Sequence, residues 1–208
     1  MTALAERVSP LAEWSRPFVA ASAAPECVSI REIPFVSQVN LRGNAADPAF
    51  ATAVRAATGC HLPPGANTWS GDLNCAALWL GPDEWLVVAP DGKNDDLCSS
   101  LRRGLAGMHH SVVDLSANRT IFEIAGADAR TVLAKGCPLD LHASVFGPGA
   151  CAQSLLAKSQ VILQCMDARP ALRIFVRISF APYVAEWLLD AAAELGASRG
   201  AGMLGLRL

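Results

Sequence analysis

Two apolar runs, Ala77–Leu80 and Trp85–Val88, are separated by only four residues, Gly81-Pro82-Asp83-Glu84. Four residues leave room for a chain reversal and little else. Proline fixes φ near the value wanted at the first central position of a β-turn, and an aspartate side chain bonds back to nearby backbone N–H groups. The stretch therefore reads as a β-hairpin with a wet corner, closed by Pro90-Asp91-Gly92. Asp83 and Glu84 would make a pair of acids for catalysis only if a base, nucleophile or phosphate-binding loop stood elsewhere in a credible context. The flanking Trp79 and Trp85 are candidates for anchoring either the chain's own core or a partner's surface.

Elements on either side of this hairpin follow a definite order. Phe35, Val39 and Leu41 suggest a strand, and Asp47-Pro48 is an N-cap followed by a proline at the first helical position. Phe50, Val54 and Ala57 then repeat at helical spacing as far as Gly59, and Cys60 to Asn74 reads as a loop. After the hairpin, Asn94 or Asp95 caps a helix carrying Leu97, Leu101 and Leu105, and a strand runs from His110 to Leu115. Strand, helix, strand, strand, helix, strand is the split βαβ arrangement. A second set begins at once, with a strand through Thr120, Phe122 and Ile124 and a short helix over 127–135. Strands follow over 154–157, 160–165 and 172–178, and a final helix from Ser179 is expected to stop at Gly196. The expected class is α+β, with two split-βαβ-like halves (28–116 and 117–197) whose mainly antiparallel sheets are covered by helices. The halves are read as one compact unit over 28–197, preceded by an arm (1–27) and followed by a loose Gly-rich tail (198–208).

The hydrophobic fraction of 52% and a mean hydropathy of +0.30 are high for a monomer with only 17% charged residues. Apolar surface that meets another protein is the expected consequence. Trp14 and Phe18 in the arm are further candidates for that contact, their alternative being a place on the chain's own domain. Lys and Arg together number 17 against 19 Asp and Glu, so no positive excess exists to hold a phosphate backbone, and nucleic acid is excluded as a partner. No apolar stretch approaches the ~20 residues that span a bilayer. The run from Phe18 to Ala24 mimics a signal-peptide core, but Ser22 interrupts it and Glu6 and Glu13 spoil a basic leader. Seven cysteines without a CxxC pair fit thiols in a reducing cytoplasm, the expected location.

Candidate chemistry is sparse. Gly200-Ala201-Gly202-Met203-Leu204-Gly205 matches GxGxxG, but a dinucleotide site needs a strand before it and a helix after it, and three residues remain to Leu208. Cys60, His61 and Cys75 with His109 and His110 lack the close ligand pairs of a zinc site. Cys137, Asp140 and His142 are the elements of a thiolate nucleophile, or else a loop that Asp140 braces. Asp114 and Arg119 are either a cross-turn ion pair or an acid holding an amine in a cleft. No catalytic, cofactor-binding or metal residue is assigned.

Four segments, ALWLGPDEWLVVAP, VVDLSANRTIFEIAGADARTVLAKGCPLDLH, AQSLLAKSQVIL and FVRISFAPYVAEWLLDAA, together resemble the gamma subunit of heterotetrameric sarcosine oxidase from about Phe35 to Leu195. The phrase DLSANRTIFEIAGADARTVL is more faintly similar to the folate-binding domain of glycine-cleavage aminomethyltransferases. The resemblance implies a complex that demethylates sarcosine to glycine, yielding hydrogen peroxide and 5,10-methylenetetrahydrofolate or formaldehyde. It implies that FAD, FMN, NAD and tetrahydrofolate sit on partner subunits, with none on this chain. Alpha, beta and delta subunits are the implied partners, alpha the one touched directly. The expected role is a noncatalytic structural subunit, inactive alone and part of an oxidoreductase when assembled. Two rivals are a free-standing tetrahydrofolate-dependent aminomethyltransferase-like enzyme and an α+β interaction module of another complex.

Overall fold

The structure, a computed structural model, describes residues 7–14, 27–166 and 171–202. The first unit comprises β2 (Ser37–Gly43), α1 (Pro48–Thr58), β3 (Trp69–Gly71), β4 (Ala76–Gly81), β5 (Glu84–Ala89), α2 (Asn94–Gly104) and β6 (His110–Asp114). It follows β1 (Ser29–Ile33), a strand that the sequence reading did not name within its first half. The second unit contains β7 (Arg119–Ala125), α3 (Ala129–Ala134), β8 (Cys151–Leu156), β9 (Ser159–Cys165), β10 (Ala171–Arg177) and α4 (Ala181–Gly202).

Local signals fix the expected starts and stops of α1. Asp47 Oδ1 accepts the Ala49 N–H at 2.9 Å, and Gly59 takes φ 77° to give its own N–H to the Arg55 carbonyl. Helix α2 departs from expectation: it has no side-chain cap, and Asn94 instead donates from Nδ2 to Asp114 at 2.8 Å. Helix α4 also departs, running through Gly196 to Gly202 rather than stopping. A glycine inside a helix costs about 1 kcal/mol, too little to end a helix already docked on a core. The tail therefore begins helical, and residues 203–208 lie outside the described part of the chain.

Sheet order in the first unit is β3-β4-β5-β2-β6, with all neighbours antiparallel. The second sheet runs β8-β9-β10-β7-β1, also antiparallel. The two orders correspond position by position, except that the place of β6 is taken in the second sheet by β1. Ser29 pairs with Ala125 and Ile33 with Ile121. The second sheet thus takes its fifth strand from the front of the chain, ahead of the first unit.

Each sheet is covered by helices on one face and by the other sheet on its second face. Phe50, Val54, Leu97 and Leu101 pack on Val39, Leu41, Trp85 and Val87. On the opposite side, Val132, Leu133, Val184 and Leu188 pack on Phe122, Ile124, Ile174 and Leu163. Between the sheets, Leu78, Leu86 and Val88 meet Ile121, Ile162 and Phe175. The hairpin strands are apolar at odd and even positions alike because both of their faces are buried.

Trp85 is 2% exposed, fills the helix-covered core and lies tilted against Phe50 with ring centroids 6.1 Å apart. Of the two roles open to it, own core or partner surface, the indole takes the first, enclosed with side chains of α1 and α2. Truncating so large a core side chain loses transfer energy and leaves a cavity, so Trp85→Ala should cost about 3–5 kcal/mol in a urea titration. A loss below about 1 kcal/mol would place the indole outside the core.

Candidate functional site

A cleft of about 380 Å³ opens where the ends of the two sheets meet. Its walls include Glu32 on β1 and Phe35 after it, Asp91 after β5, Asn94 at the start of α2, Asp114 at the end of β6 and Ser116 just beyond it. Residues 7–10 of the arm close one side and are held from both sheets. Arg7 Nη1 pairs with Asp91 at 2.8 Å, and its guanidinium lies 4.4 Å from the centre of the Phe35 ring. The Ser9 hydroxyl sits 2.6 and 2.7 Å from the two oxygens of Glu32. Thr120 adds a donor to the same carboxylate at 2.5 Å.

Asp114 lies in this cleft, as the sharper sequence reading asked, yet Arg119 is not its partner. Its Oδ1 accepts the Ser116 N–H at 2.9 Å and the Ser116 hydroxyl at 2.6 Å, and Oδ2 accepts from Asn94. Partial burial pushes its pKa up, but the bonds from Ser116 and Asn94 outweigh that and hold it below the usual aspartate value. Each of the three cleft acids thus has donors from its own chain, and among the described residues no histidine or cysteine lines the cleft.

The other candidates separate. Cys60 and Cys75 come together at 3.8 Å, but His109 and His110 line a different hollow beside Arg42 and Asp83. No group of three or more ligand-type side chains suited to a metal occurs among the described residues. Around Cys137, the His142 Nδ1 contacts Ser144 at 2.7 Å, and Asp140 accepts the His142 backbone N–H at 2.9 Å. Asp140 braces its loop, and the imidazole does not meet the thiol. Trp14 is half-buried against the second core, where Leu11 is 3% exposed, so this part of the arm folds on its own domain. Trp79 is partly buried, packed against both the helix-covered core of the first sheet and the layer between the sheets. Phe18 lies outside the described residues. No helix among the described residues is long and apolar enough to cross a membrane.

The thiol pair has one measurable consequence. The hydrogen bond from Cys75 is the main cause that lowers the Cys60 pKa from 9.0 to about 7, against burial that raises it. Cys75→Ser should shift the midpoint of Cys60 alkylation by iodoacetamide toward higher pH, read by mass spectrometry. An unchanged midpoint would show that the Cys75 thiol does not set the Cys60 charge.

The model of the family "Sarcosine oxidase, gamma subunit family" matches residues 42–194. Sarcosine oxidase subunit gamma of Corynebacterium sp. (strain U-96) is 38% identical over 194 residues, covering 92% of this chain and 93% of the relative. The corresponding subunit of Arthrobacter sp. is 38% identical over 168 residues, covering 80% of this chain and 81% of its own length. Among solved structures, heterotetrameric sarcosine oxidase from Corynebacterium sp. U-96, in complex with pyrrole 2-carboxylate, matches with a TM-score of 0.83 at 37% identity, covering 90% of this chain and 95% of that one. Glycine cleavage system aminomethyltransferase T from Bartonella henselae shares the fold, with a TM-score of 0.65 at 15% identity, covering 89% of this chain and 57% of that one. The strand order, the segments singled out in the sequence and these matches agree: the chain belongs to the sarcosine oxidase gamma subunit family.

Proposed function

We propose that this chain is the noncatalytic gamma subunit of a heterotetrameric sarcosine oxidase in the cytoplasm. It docks on the alpha subunit, and beta and delta complete the assembly. The complex oxidatively demethylates sarcosine to glycine, with hydrogen peroxide and 5,10-methylenetetrahydrofolate or formaldehyde as the other products. FAD, FMN, NAD and tetrahydrofolate are held by the partners. Residues 28–197 serve as one folding unit that presents a docking surface.

The cleft carries this reading. Its fold relative is an aminomethyltransferase, but here Glu32, Asp91 and Asp114 are engaged by Ser9, Thr120, Arg7, Ser116 and Asn94. A carboxylate that accepts this many bonds has little capacity left to hold a pterin or an amine, and Asp114, its pKa held low by Ser116 and Asn94, is a poor base. The residues present do not fit a folate, and no step is assigned to one. A high apolar fraction suits a permanently complexed subunit, since obligate interfaces resemble domain cores cut in half.

Two measurements test this. Calorimetry of the isolated chain with tetrahydrofolate should show no binding, and micromolar affinity would overturn the subunit-only reading. In the co-expressed complex, Asp114→Asn should leave turnover within about 2-fold of wild type, whereas a loss on the order of 100-fold with assembly intact would make Asp114 a catalytic residue.

A further inference from the structure

The second sheet handles two pairs of arginines in different ways. On its face toward the first sheet, residues 119, 121 and 123 of β7 follow one another at the period of two. At one end of that row, Glu123 stands in register with Arg31 on β1 and Arg173 on β10. Its carboxylate takes both, with Arg31 Nε at 2.8 Å and Arg173 Nε at 3.5 Å. At the other end, Arg119 stands in register with Arg177, and no acid stands between them.

Like charges directly opposite on neighbouring strands repel, at a Cβ separation of about 5 Å. Neither arginine belongs to an ion pair among the described residues. Arg119 Nη1 is buried without a hydrogen-bond partner, which is costly for a charged donor. Glu84 acts on Arg119 from a distance, but its Oε1 accepts from Asn40 at 2.7 Å. Arg119 and Arg177 line a hollow of about 470 Å³ together with Gln153, Leu155 and Gln160. Leu155 in that wall, and Ile178 and Phe180 just beyond Arg177, are each more than two-fifths exposed. Arginine set among exposed aliphatic and aromatic side chains is the composition of a protein interface, and a free small anion would need no such apolar rim.

Resting on the subunit reading above, we propose that Arg119 and Arg177 receive an aspartate or glutamate side chain of the partner subunit, with Leu155, Ile178 and Phe180 as the apolar border of that contact. The incoming carboxylate does for Arg119 and Arg177 what Glu123 does for Arg31 and Arg173. Arginine suits this because its planar fork grips a carboxylate through two parallel bonds.

The test is co-expression of the full chain with its partner subunits and measurement of their association by pull-down and analytical gel filtration. Arg177 is exposed, so it is the residue to change. Arg177→Glu should weaken association on the order of 100-fold and Arg177→Gln on the order of 10-fold. Arg55→Glu, on the outer helix layer, should assemble as wild type. A far-UV thermal melt of each variant shows whether it folds, and if Arg177→Glu does not, Arg177→Gln decides. Wild-type association in Arg177→Gln together with wild-type or absent folding of Arg177→Glu would overturn the proposal, as would wild-type association in both. If the unaltered chain fails to associate at all, the subunit reading falls instead, a result separable from the other.

Discussion

The two sheets are bound to one another by a dry layer in which Leu78, Leu86 and Val88 face Ile121, Ile162 and Phe175. A sheet with helices on one side still has a second face to bury, and neither unit has helices to spare for it. Back-to-back packing solves this for both at once and makes four layers from two ordinary halves. The cleft, the arginine pair and the arm all exist because this layer ends: beyond its apolar row, the strand ends diverge and polar side chains take over. The arm closes one edge of that opening through Ser9 and Arg7, and Arg119 occupies another.

How far the sequence revealed this architecture depended on how local each signal was. The hairpin and α1 were legible because a turn and a cap are written within a few residues of themselves. Strand β1 was not. Its residues SIREI carry two charges in the middle, Arg31 and Glu32, and they become a strand only against β7. Arg31 pairs with Glu123, and Glu32 accepts hydrogen bonds from Ser9 and Thr120, partners that local periodicity cannot supply. The three residues of β3 were hidden in a loop for the same reason. Trp79 and Trp85 looked alike in sequence, and helices elsewhere in the chain decided that the second would be enclosed.

For function, the sequence patterns carried the family and the residue chemistry carried the doubt about catalysis. Asp114 and Arg119 were read either as a cross-turn ion pair or as an acid in a cleft; Asp114 lines the cleft, with Ser116 and Asn94 as its donors. Arg119 lines that same cleft and stands opposite Arg177, a residue whose proximity follows from strand register alone. The cysteines behave similarly: Cys60 and Cys75 meet because α1 ends beside the start of β4, not because of any motif spacing. Chemistry that depends on tertiary juxtaposition leaves no periodic trace, which is why sites were harder to read than elements.

The exchange of β1 into the second sheet also orders events in time. Ser29 bonds to Ala125, 96 residues downstream, so the strand made first at the ribosome completes the sheet made last. The first unit has all of its strands between Ser37 and Asp114 and can close while the second is still being made. Until β7 emerges, β1 is an unpaired edge with nothing to join, and the closing of its long loop makes it a late and slow event. The stage at which the chain is most exposed to mispairing is therefore written into its connectivity, ahead of any encounter with another subunit.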